Sequence, residues 1–191
     1  FTDKFIMPVA ALHKHWVDEV GNVYVDLRTQ DRHRTLFTAH TDSVHFKEGL
    51  QTVTFDNVHN TIATPDGECL GADDATGVAL LLHMIEAGVP ALYVFTVGEE
   101  RGGVGATHIA DTYGALLSQF DRAVAFDRKD TYSVITHQGW GRCCSDTFAD
   151  ALSDALTQVD GLIMYAPDDS GVYTDTAEFV SLVPECTNIS A

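Results

Sequence analysis

The sequence predicts an α/β fold, a three-layer sandwich with a mixed, largely parallel central sheet flanked by helices. Three observations carry this. Ala91 to Val97 is a continuous apolar run, as in a strand buried on both faces. Helical apolar spacing alternates with such runs along the middle of the chain. Charged or imidazole groups (His40, Glu99-Glu100, Asp127) follow directly on three of the apolar strands. In open α/β sheets the crevice beyond the carboxyl ends of the strands is where ligands bind.

In chain order, Phe5, Val9, Leu12 and Trp16 have roughly helical spacing and predict a helix over 1–16, disturbed at Pro8. His13 and His15 are then surface residues of that helix and not ligands. Gly21-Asn22 is a turn, and Val23 to Leu27 an alternating strand. Thr35 to Ala39 is a short apolar strand running into His40-Thr41-Asp42, with His45 a less constrained competitor. Thr52 to Val58 reads as an edge or hairpin strand, and Thr64-Pro65-Asp66-Gly67 as a turn. Val78, Leu81, Leu82 and Ile85 make one stripe of a helix over 75–87, stopped by Gly88 and Pro90. His83 falls off that stripe. A second helix spans 105–117, with His108 on its surface. Strands follow at 122–126, ending on Asp127, and at 132–136, the latter pairing locally. A third helix spans 148–159, a strand 162–165, and a polar loop 168–171. Ala177 to Val183 is helix or strand.

The chain has 191 residues, is 45% hydrophobic and carries a formal charge of −17. That size indicates a single domain with a substantial core. The charge excludes a generic nucleic-acid or anionic-membrane binder, since both require a basic footprint. Twenty of the 28 acids are Asp and only four residues are Lys. This bias fits a salt-rich habitat or merely an acidic enzyme. An unfolding midpoint that does not rise between low and molar salt would argue against the first. The four cysteines show no C-x-x-C spacing, and vicinal Cys143-Cys144 is a poor disulfide pair, so free buried thiols are expected. No apolar run approaches the roughly 18 residues of a membrane span. No signal peptide is visible behind Phe1, and a cytoplasmic setting is the expectation.

Adjacent carboxylates at the ends of buried elements are costly without a cation between them. Asp73-Asp74 opens a helix and Glu99-Glu100 closes a strand. A helix cap needs one aspartate, not two. With His40 and Asp127 on the same sheet edge, one histidine and several carboxylates suit a borderline dication such as zinc. A shared carboxylate suits two metals about 3.5–4 Å apart. One glutamate must stay free as a proton acceptor. If strand geometry persists, Glu99 and Glu100 point in opposite directions, one to the metal and one to the water.

The ordered set H-T-D, G-A-D-D-x-x-G, G-E-E-x-G-G and an acid after the next strand resembles the co-catalytic dizinc exopeptidases. That clan includes bacterial leucyl aminopeptidases, tripeptide aminopeptidases and carboxypeptidase-G-like enzymes. The resemblance implies that His40 and Asp127 ligate one zinc, Asp73 bridges two, and Glu100 ligates the second. It implies a peptide bond between Asp73 and Asp74 that is often cis, Asp42 orienting a ligand, and Glu99 as general base. The activity implied is zinc-dependent exopeptidase hydrolysis of a peptide or small amide by metal-activated water. The rivals are a deacylase of N-acyl amino acids and a catalytically incomplete metal-binding homologue. The clan's fifth ligand is a histidine near the C-terminus, and no histidine follows His137 here. The preferred reading is one catalytic domain over 1–191 lacking a C-terminal segment; His137 as a substitute is the other. The intervals leave no room for a lid or dimerisation insert. Oligomeric state is left open.

Overall fold

A computed structural model describes residues 1–30, 32–45, 50–65, 68–139 and 141–191. Asp66 and Gly67 of the turn expected at 64–67 lie outside these residues.

The sheet has eight strands: β1 (Lys14–Val17), β2 (Val23–Asp26), β3 (Thr35–His40), β6 (Leu92–Thr96), β7 (Arg122–Arg128), β8 (Ser133–Ile135), β11 (Ala166–Asp168) and β12 (Glu185–Ser190). Their spatial order is β1-β2-β6-β3-β7-β12-β8-β11. The central run β6-β3-β7-β12 is parallel throughout. Antiparallel pairings join β1 to β2, β2 to β6 and β12 to β8. The mixed, mostly parallel sheet is therefore as the sequence predicts.

Every residue of β6 is buried, so its side chains supply both faces. Leu92 and Val94 join Ala106, Ile109, Phe120 and Phe179 on one side. Tyr93 and Phe95 join Val78, Leu81, Ile85 and Ile6 on the other. This period of two puts α3 (Ala72–Glu86) against one face, and α4 (Val104–Thr112) with α5 (Gly114–Leu117) against the other. The helix α6 (Asp146–Asp160) packs Leu152 and Leu156 near Val134. Among the described residues no helix is long and apolar enough to cross a membrane.

Several local expectations are corrected. The first sixteen residues are not one helix but two single turns, α1 (Thr2–Phe5) and α2 (Met7–Ala10), followed by β1. His15 and Trp16 are thus strand residues. Trp16 stacks on Tyr24 across the β1–β2 hairpin at 4.7 Å, a contact that helical spacing conceals. The 105–117 helix breaks at Tyr113 into α4 and α5. Residues 162–165 are not a strand: α6 runs on to Asp160, Gly161 takes φ 69°, and β11 begins at Ala166. β8 does not pair locally; it lies between β12 and β11. The segment 177–183 is partly a 3-10 turn, Asp175–Phe179. The hairpin strand at 52–58 shortens to β4 (Thr54–Asp56), paired with β5 (Thr61–Ala63). A two-residue pair, β9 (His137–Gln138) and β10 (Gly141–Arg142), completes the structure. All four cysteines are free, and Cys143, Cys144 and Cys186 are buried.

Candidate metal centre

His40 ends β3, the strand between β6 and β7, so its ring emerges at the middle of the sheet's carboxyl edge. The side chain is 1% exposed. Its Nδ1 lies 2.9 Å from the Asp42 carbonyl, which can only accept, so Nδ1 carries the proton. Nε2 is thereby aimed at two carboxylates, with Asp73 Oδ1 at 2.9 Å and Asp127 Oδ1 at 3.6 Å. Burial of the ring would lower its pKa, but the carboxylates of Asp127, Asp74 and Asp175 outweigh that and carry it up to about 10. Without a metal, then, an imidazolium proton fills the space between these groups. A dication is the natural replacement for it.

Among the described residues, His40, Asp73 and Asp127 form a group whose ligand atoms all lie within 4.8 Å of one another. The two aspartates flanking the cis peptide have separate jobs. Asp74 is buried; its Oδ1 accepts the Gly77 N–H at 2.9 Å and its Oδ2 the His40 N–H at 3.2 Å. It fastens the start of regular helix to the end of β3. Asp73 has non-helical backbone and a largely exposed side chain. Burial above all, together with Asp127, raises the Asp74 carboxyl to about 8. The same two causes raise that of Asp73.

Asp127 is held from three directions. Its N–H donates to Asn188 Oδ1 at 2.9 Å, its carbonyl accepts from Asn188 Nδ2 at 2.8 Å, and its Oδ2 accepts from Thr174 Oγ1 at 2.7 Å. Oδ1 is left facing His40. Asp42 turns its carboxylate toward the next strand end, where Oδ1 accepts the N–H groups of Gly98 (2.8 Å) and Glu99 (3.1 Å). Its carboxylate is 3.7 Å from His40 Nδ1, so it is the Asp42 carbonyl that bonds the ring.

Glu99 and Glu100 are not on an extended strand. Gly98 adopts φ 71°, a left-handed conformation suited to glycine, and the chain turns into a 3-10 helix, Glu99–Arg101. Neighbours on such a turn diverge by roughly 120°, not 180°. Glu99 is half-buried and Glu100 exposed. Burial, then the charges of Asp127, Asp175 and Glu100, push Glu99 up to about 7, against the pull of His40. Glu100 is raised chiefly by burial and Asp73. Glu100 and His137 belong to no three-ligand group among the described residues.

A sequence model of peptidase family M28 matches residues 22–180, spanning every residue named so far in the centre except Asn188. The chain belongs to peptidase family M28. No curated protein matches it. Among solved structures, this M28 chain resembles the PhTET1-12s dodecamer at 16% identity and TM-score 0.68, covering 98% of this chain and 83% of that one. It resembles aminopeptidase PepT from Bacillus cereus at 24% identity and TM-score 0.56, covering 72% of this chain but only 39% of PepT. A glutaminyl cyclase from an Acidobacteriales bacterium matches at 16% identity and TM-score 0.66, covering 100% of this chain and 68% of the cyclase. At these identities the likeness is one of fold.

Three residues around the M28 centre escaped the sequence. Asn188 and Thr174, which fix Asp127, lie in segments without a periodic signal. Asp175 is buried beneath the centre, with one oxygen accepting from the Thr96 hydroxyl and Oδ1 without a partner among the described residues. Burial raises it to about 6. An acid directly before an apolar segment gave no hint of that depth.

Proposed function

We propose that this chain is the catalytic unit of a zinc-dependent exopeptidase of aminopeptidase type. One observation carries the proposal: His40 Nε2, with its other nitrogen committed to a carbonyl, faces Asp73 and Asp127 at ligand-forming range. One imidazole nitrogen with carboxylates suits zinc, whereas magnesium and calcium favour all-oxygen sets. His40, Asp73 and Asp127 would hold one ion, and Asp73 would share a second with Glu100. When bound, zinc lowers the pKa of water and polarises the scissile carbonyl.

The remaining work belongs to the protein's own side chains. Glu99, half-buried beside the centre, would take a proton from water and return it to the leaving amine. Asp42 keeps Glu99 in place through the backbone of its turn and orients His40 through its own carbonyl. Asn188 and Thr174 fix Asp127. Glu99→Gln should lower turnover of aminoacyl anilides roughly 10²–10⁴-fold with zinc content unchanged. Undiminished hydrolysis would sink this role.

The likeness to glutaminyl cyclase over the whole chain supports a second reading, in which a substrate's own amine attacks an amide at the same centre. N-acyl amino acids are the third substrate class. A screen with aminoacyl anilides, N-acyl amino acids and N-terminal glutaminyl peptides separates the three.

A further inference from the structure

Beside the metal centre lies a cavity of about 400 Å³, whose lining includes Asp73, Asp74, Asp127 and Asp130 together with Arg128 and Lys129. This volume is in the range that takes small ligands. Arg128 is already engaged: its Nη2 donates to Ser170 Oγ at 2.9 Å and lies 3.5 Å from Asp168 Oδ2, so its charge is matched and Lys129 is the remaining cation of the lining. Lys129 is exposed and has no hydrogen bond or ion pair among the described residues. Asp130, at the same rim, accepts the Tyr132 hydroxyl at 3.3 Å. A free ammonium is notable in a chain with four lysines and a formal charge of −17. The larger cavity, about 610 Å³ at the opposite end of β3, differs: its Arg28 and Arg34 are paired with Asp26 and Asp121.

We infer that the cavity next to the metal centre is a carboxylate subsite, in which Lys129 receives the free C-terminal carboxylate of a short peptide. The inference rests on the peptidase reading and narrows its substrate class. A cation there attracts a substrate's carboxylate end and repels an ammonium, which fixes the direction in which a peptide lies across His40 and Asp127. Glu99 and Glu100 leave an acidic side for the amine.

The test compares a tripeptide free acid with its C-terminal amide on the full-length, zinc-loaded protein. The kcat/KM ratio of acid to amide should be about five to ten. Lys129→Gln should bring the ratio to near one, and Lys129→Glu below one. In parallel, calorimetry on the Glu99→Gln protein should show tighter binding of the acid, with the difference lost when Lys129→Gln is added. Hydrolysis of both peptides at equal kcat/KM, or a ratio indifferent to Lys129→Glu, overturns the subsite and leaves the peptidase reading standing. Lys129-dependent binding of the acid with neither peptide hydrolysed keeps the subsite and overturns the peptidase reading.

Discussion

Gly77→Ala distinguishes local helix physics from the needs of the centre, because the two predict opposite signs. On propensity alone, alanine within a helix is favoured over glycine by about 0.8–1.0 kcal/mol. Here, however, a Cβ on residue 77 would lie 2.4 Å from Asp74 Oδ1, 2.6 Å from Oδ2 and 2.8 Å from Cγ. Asp74 has a short side chain pinned at both oxygens, by the N–H groups of Gly77 and His40. Moving it strains two bonds, each worth about 0.5–1.5 kcal/mol. Crowding adds about 1–3 kcal/mol. The balance is a net loss of about 1–5 kcal/mol, which for a chain of this length lowers Tm by roughly 2–20 °C. Urea unfolding with an unchanged m-value is the assay. Zinc affinity should fall as well, because the displaced carboxylate also holds the His40 backbone. A Gly77→Ala protein more stable than the parent would refute this account of Asp74.

Asn188→Leu keeps the number and branching of side-chain heavy atoms but strips both bonds from the Asp127 backbone; zinc affinity should drop roughly 10–100-fold, and unchanged affinity in a competition titration would exclude a role in holding Asp127. In metal-free protein, raised carboxyls (Asp74 near 8, Glu99 near 7, Asp175 near 6) bind more protons folded than unfolded, so their cost appears as pH rises from about 4 to 8. The raised His40 stabilises fully below about 6.5 and is lost as pH rises through about 10. Both effects have the same sign, and Tm of the metal-free protein should fall steadily between pH 5 and 9; a rise over that interval would contradict the charge arrangement. Zinc at 100 times its Kd should stabilise the protein by about 2.7 kcal/mol, and a Tm indifferent to both chelator and added zinc would count against a metal centre.

The parallel core of the sheet was legible because β6 and the middles of β3 and β7 are buried on both faces, which leaves short runs rich in apolar residues. The meeting of His40, Asp73 and Asp127 was legible because His40 and Asp127 end such runs and because a helix cap accounts for one of two adjacent aspartates, not both. Trp16 was misplaced because its spacing from Phe5, Val9 and Leu12 fits a helix, while its stacking on Tyr24 depends on a hairpin that spacing does not encode. The divergence of Glu99 and Glu100 was overestimated because the left-handed Gly98 ends the strand before them.

β12 is the more instructive omission. E-C-T-N-I-S has the polarity of a surface segment, yet five of its six residues are buried and it lies between β7 and β8. Two of its buried polar side chains are compensated by backbone groups of neighbouring strands: Thr187 Oγ1 donates to the Ile135 carbonyl at 2.7 Å, and Asn188 pairs with both backbone groups of Asp127. Such a strand costs more to desolvate than a valine-rich one, and in return its asparagine sets the rotation of the Asp127 peptide. A central strand that reads as polar is therefore a pointer to the ligand on the strand beside it. Asp175 is placed in a similar way, its partner Thr96 being the residue of β6 directly in register with His40. Around this centre the polar residues that defeat periodicity are the ones that hold the proposed metal ligands still.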